Sequence, residues 1–151
     1  MSDITNYINI ILQDLNQDMD INIKVNQIKG YTCINTEVKD LFNILKRLKE
    51  NHGFNYLANL TAVDYPDHFE IIYHIHTIPD NRKIMIKTCV SREDAELPSA
   101  VSLWPAADWQ EREVFDMLGI KFKDHPNLIR ILLPDDFEGY PLRKDYQVKG
   151  D

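Results

Sequence analysis

His74 and His76 are separated by one residue inside an apolar run, Ile71-Ile72-Tyr73-His74-Ile75-His76. On a strand, alternate side chains leave the same face, so the two imidazoles stand side by side as two ligands of one metal ion would. A metal-dependent enzyme built on this pair needs a further donor, and only His68 and Glu70 are near in sequence. With so little of the ligand set specified, a structural or solvent-facing pair is the stronger reading. His52 and His125 add nothing to the metal case.

Glu111-Arg112-Glu113-Val114-Phe115-Asp116 places three carboxylates on about two helical turns, and three readings remain open. The first is a solvated helix face, with Arg112 and Asp116 as an i,i+4 pair contributing a few tenths of a kcal/mol. The second is a set of ion pairs across an interface, where arginine forks two bonds to a carboxylate. The third is a general acid/base pair. The first is the strongest on spacing alone. Further on, Pro141-Leu142-Arg143-Lys144-Asp145-Tyr146 packs a rigid turn, an apolar anchor, two cations, an anion and an aromatic into six positions. Such a string suits docking better than a frayed end, because Tyr140, Leu142 and Tyr146 would otherwise be exposed without purpose.

Composition removes other chemistries. Cys33 and Cys89 form no CxxC pair and cannot ligate an iron–sulfur cluster or a closed zinc site. The five glycines form neither GxGxxG nor GxxxxGK[ST], so the common phosphate-cradling loops are missing. A net charge of −7 opposes the phosphate neutralisation on which nucleic-acid binding depends. At 151 residues, 44% hydrophobic and 27% charged, the chain has the size and composition of one folded domain. The start does not read as a secretory signal and no apolar run reaches the ~20 residues of a membrane span, so any membrane association is expected through another protein.

The elements that must position these groups follow from periodicity. Ile4, Ile8, Ile11, Leu12 and Leu15 make the stripe of an amphipathic helix over 4–17. Alternation at Ile21, Ile23 and Val25, then Tyr31–Thr36 after Lys29-Gly30, predicts two strands around a turn. Leu41, Phe42, Ile44, Leu45 and Leu48 predict a second helix stopped by Gly53. Residues 54–63, 68–78 and 83–91 read as three antiparallel strands in a meander. Ser99 suits a short turn, Pro105 a first helical position, and 107–118 a helix closed by Gly119, with Ala107, Val114, Phe115 and Leu118 facing the sheet and Glu113 and Asp116 elsewhere. The expected fold is α+β: an antiparallel sheet of about four to five strands with helices on one face, as a domain over 1–122 followed by an extended partner-binding segment over 123–151.

That last segment is the anomaly. Pro126, Pro134, Gly139 and Pro141 break every regular element, yet it carries Leu128, Ile129, Ile131, Leu132, Leu133, Phe137, Tyr140, Leu142 and Tyr146. Disordered segments lack such groups. Burying them falls short of the backbone entropy lost on fixing the stretch, so an ordered partner surface is expected to cover it.

Trp104–Ile120, with Phe122, His125-Pro126-Asn127-Leu128, Arg130-Ile131-Leu132 and Gly139–Tyr146, resembles the signature of the 30 kDa subunit family of respiratory complex I, the C subunits of NADH:quinone oxidoreductase. The likeness is close over about 98–147 and looser over Leu60–Tyr65 and Phe69–His74. Asp124 stands where the family usually has Gly, Tyr140 where His is common, and Gln147 where Pro often follows.

The resemblance implies an accessory, non-catalytic subunit of the peripheral arm, on the cytoplasmic side of the cell membrane. The chain would hold no cofactor or metal of its own, while NAD, quinone and iron–sulfur clusters belong to the parent complex. It also implies docking on the D subunit, which is like the hydrogenase large subunit, and on neighbouring arm subunits, in support of electron transfer from NADH to quinone coupled to proton translocation. The partner-facing residues carried over are Glu111, Arg112, Asp116, His125, Pro126, Arg130, Pro141, Leu142, Arg143, Lys144 and Asp145. Relatives of this family also serve membrane-bound [NiFe] hydrogenases and formate hydrogenlyase, which are the alternative parents.

Overall fold

The computed structural model describes residues 2–18 and 21–148; the side chains of 2–5 and 18, and with them the Ile4 position of the first stripe, lie outside the described set. Helix α1 spans Ser2–Asp18. Strands β1 (Lys24–Ile28) and β2 (Tyr31–Asn35) form a hairpin whose turn uses Lys29 and Gly30, both at positive φ. Helix α2 (Val38–His52) ends in the left-handed conformation at Gly53, where the glycine N–H donates to the Leu48 carbonyl and no Cβ is strained.

Strands β3 (Tyr56–Asp64), β4 (His68–His76) and β5 (Lys83–Ser91) form the expected meander. The hairpin joins it in a way that the sequence did not indicate: β2 pairs with β5 in parallel, giving the order β1-β2-β5-β4-β3. Parallel neighbours need a crossover, and α2 with the β3–β4 hairpin supplies a long one. Alternation then sorts the faces. Phe69, Ile71, Tyr73 and Ile75 of β4 are wholly buried, while His68, Glu70, Ile72, His74 and His76 between them are half-buried on the other face.

The buried face joins Ile11 and Leu15 of α1 and Leu41, Ile44, Leu45 and Leu48 of α2 in one core. Each such side chain contributes roughly 1.5–3 kcal/mol. The core reaches helix α3 (Ala107–Leu118) through Ala107, Val114 and Leu118. Beside α3, the three-residue strands β6 (Glu96–Pro98) and β7 (Lys121–Lys123) pair in parallel, another pairing not foreseen. Pro105 lies in the turn before α3 rather than at its first position, its carbonyl accepting the Asp108 N–H. Residues 124–148 run through turns and bends without helix or strand.

Candidate functional site

Polar groups hold the segment after β7 to the domain, beside partial burial of side chains such as Leu128, which packs on the core, and Tyr140, which meets Phe115. Asp116, in the last turn of α3, is fully buried. Its Oδ2 accepts the successive backbone N–H groups of Ile131, Leu132 and Leu133 at 3.2, 2.7 and 3.0 Å. Its Oδ1 accepts from Arg130 Nη1 at 2.8 Å, and the same guanidinium donates to the Asp116 and Gly139 carbonyls at 3.0 and 2.7 Å. Three consecutive N–H groups around one oxygen form an anion-binding nest. Burial pushes the Asp116 carboxyl up, but the N–H of Leu132, Arg130 and the N–H groups of Ile131 and Leu133 outweigh it and hold the group below the usual carboxylate range.

Further contacts secure both ends. Arg112 donates to the carbonyls of Ile129 and Arg130 at 3.3 and 3.4 Å. His125 Nε2, its side chain enclosed, lies 3.2 Å from the Asp108 carbonyl and 3.0 Å from its carboxylate. Arg143 Nε donates to the last carbonyl of α3, Leu118, at 2.6 Å, and its guanidinium lies 5.0 Å from the Tyr140 ring centroid. A Cβ at Gly119 would stand 2.7 Å from Tyr140 and 2.9 Å from Arg143. That glycine therefore serves twice, at φ 77 as the helix stop and as the floor on which the segment rests. At the far end of β3, buried Asp64 accepts from Arg92 and, at 2.7 Å, from the Lys144 N–H, while Arg92 also pairs with Asp145 at 3.0 Å.

Glu111 is buried on the same helix but serves another purpose. Its oxygens accept the Ser99 hydroxyl at 2.6 Å and the Ala100 N–H at 2.7 Å, fixing the turn that follows β6. Desolvation pushes its carboxyl up to about 7, with Asp108 adding to the rise against those two hydrogen bonds.

Glu111 and Asp116, partner-facing by the resemblance, are both 0% exposed in this chain, and their oxygens are used by it. The solvated-face reading fails for them on the same ground. Arg112, His125, Arg130 and Arg143 likewise direct polar atoms inward, and Pro141 is half-buried. Pro126, Leu142, Lys144 and Asp145 are exposed.

Of the apolar groups that the sequence marks in the tail, Ile129, Leu132 and Leu142 are 48%, 56% and 62% exposed; Trp109, on the outer side of α3 and given no role from the sequence, is 54% exposed. Of the nine large apolar groups after residue 124 named above, none is fully buried. Their inward or outward direction depends on which backbone N–H groups turn toward Asp116, and the aperiodic sequence carries no signal for that.

His74 and His76 stand on β4 among aromatic rings, with Tyr31 at 5.2 and 6.4 Å and Tyr56 at 5.9 Å from His76. Burial lowers the pKa of both, helped by Lys87 at His74 and by Lys83 at His76. Among the described residues, no group of three or more His, Cys, Asp or Glu side chains is arranged to hold a metal ion.

The family model described as respiratory-chain NADH dehydrogenase, 30 Kd subunit, matches residues 34–151. The chain belongs to that family. Among similar proteins, the NADH-quinone oxidoreductase C subunit of Moorella thermoacetica is 50% identical over 111 residues, covering 72% of this chain and 75% of that one. The corresponding C subunit of Citrifermentans bemidjiense is 42% identical over 125 residues, covering 81% and 78%. Among solved structures, the trypsin-resistant fragment of Nqo5 matches with a TM-score of 0.68 at 26% identity, over 81% of this chain and 99% of that one. A chain of the membrane-bound sulfane sulfur reductase, an archaeal respiratory membrane complex, matches with a TM-score of 0.76 at 26% identity, over 94% and 86%. In this member of the 30 kDa family, Asp124 has φ 68. That left-handed conformation favours glycine and is tolerated by aspartate.

Proposed function

We propose that this chain is a non-catalytic peripheral-arm subunit of NADH:quinone oxidoreductase. It docks on the D subunit, the partner that is like a hydrogenase large subunit, and so supports electron transfer from NADH to quinone coupled to proton translocation. Its cofactors, NAD, quinone and iron–sulfur clusters, are those of the parent complex, and it sits on the cytoplasmic side of the membrane through its partners. No helix among the described residues is long and apolar enough to cross a membrane.

The observation that carries the reading is the division of labour in residues 124–148. Polar groups tie the segment to α3 and β3, and Ile129, Leu132 and Leu142 are left facing solvent, as is Trp109 on α3. Exposed apolar groups on an anchored scaffold mark an interaction surface. The likeness to the sulfane sulfur reductase chain supports a second reading, the equivalent subunit of a related membrane-bound complex such as a [NiFe] hydrogenase or formate hydrogenlyase. The docking role is the same in both.

Leu132→Ser combined with Leu142→Ser tests it. Both side chains are more than half exposed, so the isolated variant is expected to unfold within about 0.5 kcal/mol of the parent chain. Recovery of the large partner subunit with a tagged chain from solubilised native membranes is expected to fall at least tenfold, since losing two anchors of an interface costs about 1–2 kcal/mol or more each. Undiminished recovery would contradict the docking role.

A further inference from the structure

The surface has an electrostatic character as well as an apolar one. Asp135 and Asp136 follow the exposed Leu132 within the same stretch, are exposed themselves, and make no hydrogen bond or ion pair among the described residues. The arginines of this stretch and of α3 are engaged elsewhere. Arg130 is bound to Asp116 and Gly139, Arg112 to the carbonyls of Ile129 and Arg130, and Arg143 to Leu118. On the neighbouring α3, Glu113 accepts the indole N–H of exposed Trp109 at 2.8 Å, placing another carboxylate beside an exposed apolar group. Lys144, the exposed cation among the described residues of the segment, lies eight positions beyond Asp136, and the adjacent Asp145 is taken by Arg92. Within 129–136 the unneutralised charges are acidic, which presents a complementary partner with a definite requirement.

We infer that residues 129–136 dock into an apolar groove on a partner subunit that is rimmed by lysine or arginine side chains, with Asp135 and Asp136 facing that basic rim. This rests on the docking reading above and adds the partner's chemistry to it. A second copy of this chain is a poor occupant. Its net charge is −7, and like charges brought together in an interface are repelled. A basic rim has a kinetic signature, because opposite charges steer encounter and the steering is screened by salt.

The test uses the full chain, tagged, with the large partner subunit in solubilised native membranes as the probe. Three forms are compared at low and at high ionic strength: the parent chain, Asp135→Lys with Asp136→Lys, and the Leu132→Ser, Leu142→Ser pair. The charge-reversed form should keep its thermal stability, since neither aspartate has a partner in the described fold. Its rate of association at low salt should fall at least about tenfold, with the difference from the parent chain narrowing at high salt. If the charge-reversed form associates like the parent at both ionic strengths while the leucine variant fails, the basic rim is overturned and the apolar docking reading survives. If both variants associate normally, both readings fall. Faster association after reversal would identify an acid-rimmed partner, and self-association of the parent chain abolished by reversal would identify a second copy; either result overturns the inference.

Discussion

Asp116→Ala should release residues 130–133 from α3 and destabilise the chain by about 3–5 kcal/mol, the range for removing one partner of a buried, hydrogen-bonded ion pair. The substitution strips three backbone N–H groups and the Arg130 guanidinium of their acceptor at once. In a domain of this size the melting temperature should drop by roughly 6–20 °C. Asp116→Asn keeps an oxygen for the N–H groups but points an amide at Arg130, so an intermediate loss is expected.

Acid should reproduce part of the effect. The folded-state pKa of Asp116 is depressed, so its contribution is present above the ordinary carboxylate range and is lost as pH falls through the folded value. Amide hydrogen exchange reads this directly. Ile131, Leu132 and Leu133 should lose protection in Asp116→Ala while amides of the central β4 keep theirs. Retained protection at those three positions would show that something other than the carboxylate holds the segment.

Glu111 should show the opposite pH dependence. Its folded-state pKa is raised to about 7, whereas the unfolded chain releases that proton near the ordinary value of ~4.3. The folded state thus binds more protons between those values, and stability falls as pH rises from about 4.5 to about 7, then levels off. Glu111→Gln removes the titration while keeping one oxygen for the Ala100 N–H and an amide for the Ser99 hydroxyl oxygen. Relative to the parent chain, it should gain roughly 2–4 kcal/mol across that window, at 1.36 kcal/mol per unit. Glu111→Ala should instead cost about 2–4 kcal/mol, because a buried N–H and a buried hydroxyl lose their partner. Denaturant titrations of the three forms at acid, neutral and mildly alkaline pH decide it. A Gln variant that tracked the parent at every pH would mean that the glutamate does not titrate in this range.

The two carboxylates also show where reading the sequence stops. Helix periodicity placed α2 and α3 closely, and glycines 53 and 119 ended them as expected, because helix stripes and left-handed stops are local properties. The meander was equally local. The parallel contact of β2 with β5, by contrast, joins residues about fifty positions apart, and no spacing rule along the chain encodes that choice.

Glu111 and Asp116 were misread for a related reason. A charged residue on a helix is ordinarily solvated, and the groups that make burial tolerable for Asp116 lie 14–17 residues away in a stretch with no periodicity. The excess of apolar residues beyond Phe122 was legible, since it is a matter of composition. Which of them remain outside was not. The hydrogen bonds of the stretch to Asp116, Leu118 and Asp64 were equally illegible, and with them the exposure of Ile129, Leu132 and Leu142.

Site-specific photo-crosslinking in native membranes reaches the central claim most directly. A photoreactive residue replacing Leu132 or Leu142 should form an adduct with the large, hydrogenase-like subunit of the parent complex, and one replacing Glu50, exposed on α2, should not. If the chain assembles normally while positions 132 and 142 react only with solvent, lipid or another copy of itself, the apolar strip is no docking surface and the account is contradicted.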